Sequence, residues 1–301
     1  METSTCSFTG YADQLREKID AALASCTELP DGCPGKLREA IAYSLLAPGK
    51  RLRPMLVLMA AEACGGSVEA AMPAACAVEM VHAYSLVHDD LPAMDDDDLR
   101  RGRPTTHKKF GEATAILAGD ALLPLAISTI AKGIRPLGLA GQCCAALAEA
   151  AGPCQLVGGQ ADDVDCALND TERDYDLEYL ESIHNRKTGA MIRVSLTLGA
   201  MIAAANDKQM DTLNRYGEKL GLAFQVTDDL LDVCSDEQSA GKRVGKDAEQ
   251  GKLTFPGMLG IEKSNMYAKQ LIEDACRAIE PLGAPARGLK ALAQCVLERN
   301  H

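Results

Sequence analysis

No CxxC pair occurs in the sequence, although 12 of its 301 residues are cysteine, and that absence excludes the usual cysteine-based zinc sites. The thiols are scattered through Ala- and Leu-rich segments, which reads as small apolar side chains in a reducing compartment and not as a disulfide framework. The opening METSTCSFTG lacks the basic start and apolar stretch of a secretory leader. Long apolar runs are missing too: Val194 to Ala205 is among the longer uncharged ones and has 12 residues, against about 20 for a membrane-spanning helix. A cytoplasmic protein with no membrane span is expected. Basic residues are in deficit, 31 Lys and Arg against 43 Asp and Glu for a net charge of −12, which argues against a nucleic-acid partner because the phosphate backbone would be repelled. Strand signals are scarce, and there is no repeat, no low-complexity tract and no linker that would divide domains.

What is present is helical. Hydrophobic residues make up 47% of the chain, enough for a substantial core. Leu15, Ile19, Ala22 and Leu23 form one stripe at helical spacing, and Leu213, Tyr216, Leu220 and Phe224 another. Breaks at Pro30 to Gly35, Pro48-Gly49, Gly65-Gly66, Arg103-Pro104, Gly133 to Gly138, Asn206-Asp207, Ser239 to Gly251 and Pro281 to Pro285 leave ten to twelve helices in a single all-α domain, residues 1–301. The segments Ala113 to Ala131 and Thr188 to Ala205 are apolar around most of their circumference. Such helices are buried on both sides, and a partner subunit can supply one of them.

Two acid clusters stand against this apolar background. Six aspartates fill the ten positions from Asp89 to Asp98, directly after an apolar helical segment, and carboxylates emerging from a core helix need a cation. On an unbroken helix Asp89 and Asp95 would lie about 240° apart. Pro92 ends or kinks the helix between them, so the later aspartate can fold back. The second cluster, about 140 residues on, places Asp228 and Asp232 one turn apart with Asp229 beside them. Oxygen-only ligands in this number suit Mg²⁺ shared with substrate phosphates. Bases cluster nearby: Lys50, Arg51 and Arg53; Arg100, Arg101 and Arg103; Lys187; Lys242, Arg243, Lys246 and Lys252. Acids and bases alternating around apolar helices describe a site for a Mg²⁺-bound diphosphate carried on an apolar tail. His82 lies seven residues before Asp89, about 20° away in projection, and so shares its face.

These residues, as Pro-Gly-Lys-Arg-Leu-Arg-Pro54, His82 through Gly102, Lys187-Thr-Gly189, Phe224 through Asp232, Gly251 through Pro256 and the closing Leu297-Glu-Arg, resemble the short-chain trans-isoprenyl diphosphate synthases, the bacterial farnesyl diphosphate synthases most of all. The resemblance implies the isoprenoid synthase fold, antiparallel helices around a deep central cavity, in a homodimer. It implies head-to-tail condensation of an allylic diphosphate with the homoallylic isopentenyl diphosphate. Asp89, Asp95 and Asp228 match the direct Mg²⁺ ligands, supported by Asp90, Asp229 and Asp232, with three Mg²⁺ per site and Mn²⁺ as a possible substitute. Arg100, Lys187, Lys242 and Lys252 match the contacts to the allylic diphosphate. Lys50, Arg53, His82 and Arg101 match the metal-free pocket for isopentenyl diphosphate, while Lys187, Thr188 and Gln225 line the reacting centre.

The implied chemistry is ionisation of the allylic C–O bond, attack by the second double bond, and loss of a proton to the departing diphosphate. Tyr84 and Ser85, fifth and fourth before Asp89, match the positions that set product length, and an aromatic at the fifth resembles enzymes that stop at fifteen carbons. Pro48 and Phe255 depart from the common pattern, which has glycine and tyrosine there. A geranylgeranyl diphosphate synthase is the nearest alternative. A terpene cyclase is disfavoured by the second aspartate motif and by the Lys50/Arg53 pocket, and a non-catalytic regulatory subunit is disfavoured because both motifs are intact.

Overall fold

Several helices begin where short polar side chains take up the orphan amides of a first turn. In the computed structural model, which describes residues 2–168, 175–234 and 252–298, Ser67 accepts from the Ala70 amide to cap α4 (Val68–Asp89), and Asp176 accepts from Tyr179 N at 2.8 Å to cap α9 (Leu177–His184). Asn206 and Gln209 cap α11 (Asp207–Cys234) reciprocally, each side chain accepting from the other's amide at 3.0 Å. Thr254 caps the short α12 (Phe255–Leu259). The remaining helices are α1 (Glu2–Cys26), α2 (Gly35–Leu45), α3 (Leu52–Ala63), α5 (Thr106–Phe110), α6 (Glu112–Gly133), α7 (Leu137–Ala151), α8 (Leu156–Leu168), α10 (Ala190–Ile202), α13 (Ile261–Ala278) and α14 (Arg287–Glu298). The fold is a single all-α domain, as the periodicity predicts.

The bundle is built on α4, which packs between α3 and α6, and on α11, which packs against α10 and α13; α10 meets α3 and joins the two halves. Leu56, Leu58, Met80, Leu122, Leu196 and Leu220 fill the space between them without solvent contact. Both helical stripes face inward, with Leu15, Ile19, Leu23, Leu213, Tyr216 and Leu220 buried. Two polar groups caught in the core show how such atoms are paired. The Tyr216 hydroxyl donates to the Leu289 carbonyl at 2.7 Å, and Arg51 reaches Asp20 at 2.7 Å and Glu79 at 2.8 Å, tying α1 and the start of α3 to α4.

Three local features differ from the sequence reading. Arg103-Pro104 is one side of a small hairpin, β1 (Leu99–Arg100) against β2 (Arg103–Pro104). Its two-residue turn puts Arg101 at φ 53° and Gly102 at φ 72°, the positive values that match strand twist. Residues Asn185–Gly189 form a π-helical turn between α9 and α10. Finally, α10 is wrapped by its own chain, whereas α6, equally apolar, keeps an outer face on which Ile116 and Leu117 are 42% and 56% exposed. Among the described residues two helices, α4 and α6, reach the length and hydropathy of a membrane span. For α4 the reason is burial inside the bundle, with Glu79 ion-paired in its middle.

Candidate active site

The first aspartate cluster folds back as Pro92 requires. Helix α4 ends at Asp89, with Asp90 as its cap; the Asp95 amide then donates to the Asp89 carbonyl at 2.9 Å and the Asp97 amide to the Asp90 carbonyl at 3.2 Å. The loop thereby returns Asp95 beside Asp89. Burial, with Asp95 adding to it, lifts the Asp89 carboxyl to about 6 against the pull of Lys187 and Arg100. Burial also lifts Asp90 to about 6, although Arg100 opposes the shift. Carboxylates crowded and buried to this degree, all with oxygen donors, fit a hard dication.

Each base that the sequence assigns to the allylic diphosphate, and that lies within the described residues, is docked on an acid. The Arg100 guanidinium reaches Asp90 Oδ1 at 2.6 Å and Asp97 at 3.4 Å. Lys252 Nζ reaches Asp95 at 3.0 Å across 157 residues of sequence, which closes the site between the α4 end and the segment after α11. Lys187 Nζ reaches Asp163 on α8 at 2.6 Å. Burial works against the Lys187 charge, but Asp163 and Asp89 more than offset it and its pKa is raised. Lys242 lies outside the described residues.

The sequence reading missed Asp163 and Gln160. Both amide atoms of Gln160 are buried with no hydrogen-bond partner among the described residues, one turn before Asp163, at the approach of α8 to the π turn. That approach depends on Gly159: a Cβ there would lie 2.5 Å from the Lys187 amide nitrogen and 2.9 Å from its Cα. The signal was Gly-Gly-Gln-Ala-Asp-Asp, acids on an apolar helix without a second copy of the pattern.

The second cluster is wired through α11. Thr188 Oγ1 donates to Gln225 Oε1 at 3.1 Å, Gln225 Nε2 donates to Asp229 at 2.8 Å, and the other Asp229 oxygen accepts from the Phe255 amide at 3.0 Å. The buried Asp229 therefore fixes Gln225 and Thr188 on one side and, on the other, the segment carrying Lys252. Asp232 is buried and Asp228 half-buried on the same helix. Phe255, where tyrosine is common, is buried and stacks on His184 with ring centroids 5.5 Å apart.

The cationic pocket also assembles. His82 is held well below its ordinary pKa of 6.5 by burial and by the guanidiniums of Arg53, Arg101, Arg100 and Arg51, so it is neutral. Arg101 leaves the hairpin turn to donate to the Pro48 carbonyl at 2.5 Å, which joins it to the exposed Lys50 loop. The Arg53 Nε is buried without an acceptor among the described residues. A cavity of about 50 Å³ adjoins this cluster, lined by Tyr43, Arg51, Glu79, His82, Arg100 and Arg101. Tyr84 is half-buried with its ring edge on His88, centroids 5.1 Å apart, and the Ser85 hydroxyl donates back to the His82 carbonyl.

His184 gives a stability prediction. Burial pushes its pKa down to about 4, so below pH 6.5 the unfolded chain takes up a proton that the folded chain refuses, and stability present above 6.5 is lost as pH falls toward 4. Between pH 7 and 5 this amounts to about 2 kcal/mol. In urea denaturation the His184→Leu variant is expected to show a correspondingly smaller fall over that range; an unchanged fall would assign the slope to other groups.

Aspartates at the end of α4 and near the end of α11, with Arg100, Lys187 and Lys252 docked on acids inside an all-α bundle, fit a site for a cation shared with an anionic ligand. Residues 34–281 match the family described as polyprenyl synthetase. The chain is 44% identical over 304 residues to the dimethylallyltranstransferase of Fischerella ambigua, covering 99% of this chain and 85% of that protein. It is 43% identical over 300 residues to geranylgeranyl pyrophosphate synthase 7, chloroplastic, of Arabidopsis thaliana, covering 98% and 84%. The crystal structure of an FPP/GFPP synthase from Zymomonas mobilis superposes with a TM-score of 0.85 at 34% identity, over 97% of this chain and 99% of that one. The chain belongs to the polyprenyl synthetase family and is a trans-prenyltransferase of isoprenoid synthesis.

Proposed function

We propose that the protein, acting as one domain over residues 1–301, condenses dimethylallyl and/or geranyl diphosphate with isopentenyl diphosphate, head to tail, to give (2E,6E)-farnesyl diphosphate. The observation that carries the two-substrate reading is the buried Arg53 Nε, without an acceptor among the described residues, beside neutral His82 and Arg101, a second cationic cluster in which Glu79 is paired with Arg51. Lys50, on the Pro48 loop that Arg101 joins, is assigned to the same pocket.

Asp89, Asp95 and Asp228 would hold Mg²⁺, three ions with substrate bound and Mn²⁺ in substitution, with Asp90, Asp229 and Asp232 in support. Bound Mg²⁺ neutralises the charge that develops on the departing diphosphate. Arg100, Lys187, Lys252 and Lys242 would bind the same diphosphate; Asp90, Asp163 and Asp95 hold the first three of them at the site. Fixed positive charge placed where the leaving charge appears accelerates ionisation. Thr188 and Gln225, held in line by Asp229, present polar oxygens to the allylic cation, and the second pocket sets the attacking double bond beside it. With purified protein, Mg²⁺ and the two C5 diphosphates, farnesol is the expected product after dephosphorylation. No product above an enzyme-free control would overturn the reading, a non-catalytic subunit included among what remains.

A geranylgeranyl product is the second reading, favoured by the 43% identity to the Arabidopsis geranylgeranyl pyrophosphate synthase. Against it stands the Tyr84 ring on the α4 side that faces α6. The Tyr84→Ala variant is expected to shift the main product from C15 to C20 on chromatography. A wild-type enzyme that already makes C20, or a variant still stopping at C15, removes Tyr84 from that role. The open face of α6, with Ile116 and Leu117, supports a homodimer, which light scattering tests. A cytoplasmic location is consistent with ten described cysteines that are all free thiols.

A further inference from the structure

Next to the returning aspartate loop, a ring nitrogen of His107 and one carboxylate oxygen each from Asp96 and Asp98 lie within 4.8 Å of one another. The two acids are exposed, but His107 at the start of α5 is only 5% exposed. Its Nε2 has no hydrogen-bond partner among the described residues, and a buried polar atom in that state is destabilising unless something occupies it.

The tautomer follows from the neighbours. Thr105 Oγ1 donates its single proton to the loop, at 2.8 Å from the Asp97 carbonyl, and stands 3.2 Å from His107 Nδ1. An oxygen whose proton is committed can only accept, so Nδ1 carries the ring proton and the ring's lone pair lies on the buried Nε2. An imidazole fixed through its far nitrogen by an oriented second group is how metal-binding histidines are held.

We propose that Asp96, Asp98 and His107 form a second metal site, distinct from the carboxylate motifs assigned to Mg²⁺ and selective for a first-row transition dication such as Zn²⁺. One imidazole with two carboxylates suits Zn²⁺, Co²⁺ or Mn²⁺, whereas Mg²⁺ takes oxygen ligands almost alone. Bonds of about 2.1 Å set neighbouring ligand atoms about 3.5 Å apart, so the three groups close by roughly 1 Å to bind. Lys108, 2.6 Å from Asp98 Oδ1, competes weakly because that pair is exposed. The ion would fasten α5 to the loop that carries Asp95 and Arg100.

The test uses Co²⁺ titrated into the full-length protein with Mg²⁺ in large excess and no diphosphate, followed by visible absorption, by the His107 ring ¹⁵N signals and by thermal melting. Expected are one Co²⁺ per chain, a d–d band, perturbation of Nε2 with Nδ1 still protonated, and a raised melting temperature. The Asp96→Asn/Asp98→Asn double variant alters only exposed groups, so it should fold, and it is expected to lose at least tenfold in Co²⁺ affinity together with the melting shift. No Co²⁺ binding by the wild type under excess Mg²⁺, or equal affinity and spectrum in the double variant, would overturn the site.

Discussion

Asp89→Asn is expected to lower kcat about a thousandfold at saturating Mg²⁺ and both diphosphates, while the metal-free variant melts no earlier than the wild type. The loss reflects removal of a charged ligand where the leaving-group charge must be neutralised, an interaction of several kcal/mol. The retained stability follows from the carboxyl's own environment. Burial lifts Asp89 to about 6, above the 3.8 of a solvated aspartate. A group raised in the folded state contributes stability fully present below pH 3.8 and lost as pH rises through about 6. At pH 7.5 the ionised side chain is a net cost in the absence of a cation, and asparagine removes it without changing shape. Added Mg²⁺ should therefore raise the melting temperature of the wild type more than that of the variant. A variant that melts many degrees lower would mean that the activity was lost through the fold.

The same aspartate shows how far the sequence could be read. Its partnership with Asp95 was legible because Pro92 forbids the continuous helix that would have separated them, and the loop returns by way of the Asp95 amide on the Asp89 carbonyl. Lys252 was legible only as a base of the right type; its contact with Asp95 spans half the chain and no local period encodes it. Arg51 marks the limit of reading residue type. It sits between two assigned site residues, Lys50 and Arg53, yet its backbone at φ 50° turns it to Asp20 and Glu79, where it holds helices together. Asp163 escaped for the opposite reason, since an acid on an apolar helix acquires its role only where Gly159 lets α8 touch the π turn. The hydrophobic stripes were easier because burial acts on every third or fourth residue at once, whereas a site is assembled from single contacts between elements distant in sequence. Tyr84 shows the intermediate case: helix geometry puts it about 140° around α4 from Asp89, and the structure places its ring against His88, on the wall toward α6.

Asp229 separates bonding from charge within this site. Replacement by alanine strands the buried Phe255 amide and the part-buried Gln225 Nε2, at about 1–3 kcal/mol each, and a combined loss near 3 kcal/mol should lower the melting temperature by about 6 °C. Asparagine behaves differently. Its oxygen can still accept from the Phe255 amide; Gln225 can turn its amide over to accept from the new Nδ2 and to donate to Thr188, whose hydroxyl accepts as readily as it donates. Asp229→Asn is therefore expected to melt within about 2 °C of the wild type while losing about a hundredfold in kcat through the missing charge. The alanine variant should show, in addition, a raised KM for the allylic diphosphate, because the unfastened Phe255 amide lies three residues from Lys252 and no longer holds that lysine against Asp95. If asparagine melts as low as alanine, the negative charge and not the hydrogen-bond chain holds the Lys252 segment, and the Asp229 carboxylate would then act on that segment in the way assigned above to Asp163 on Lys187.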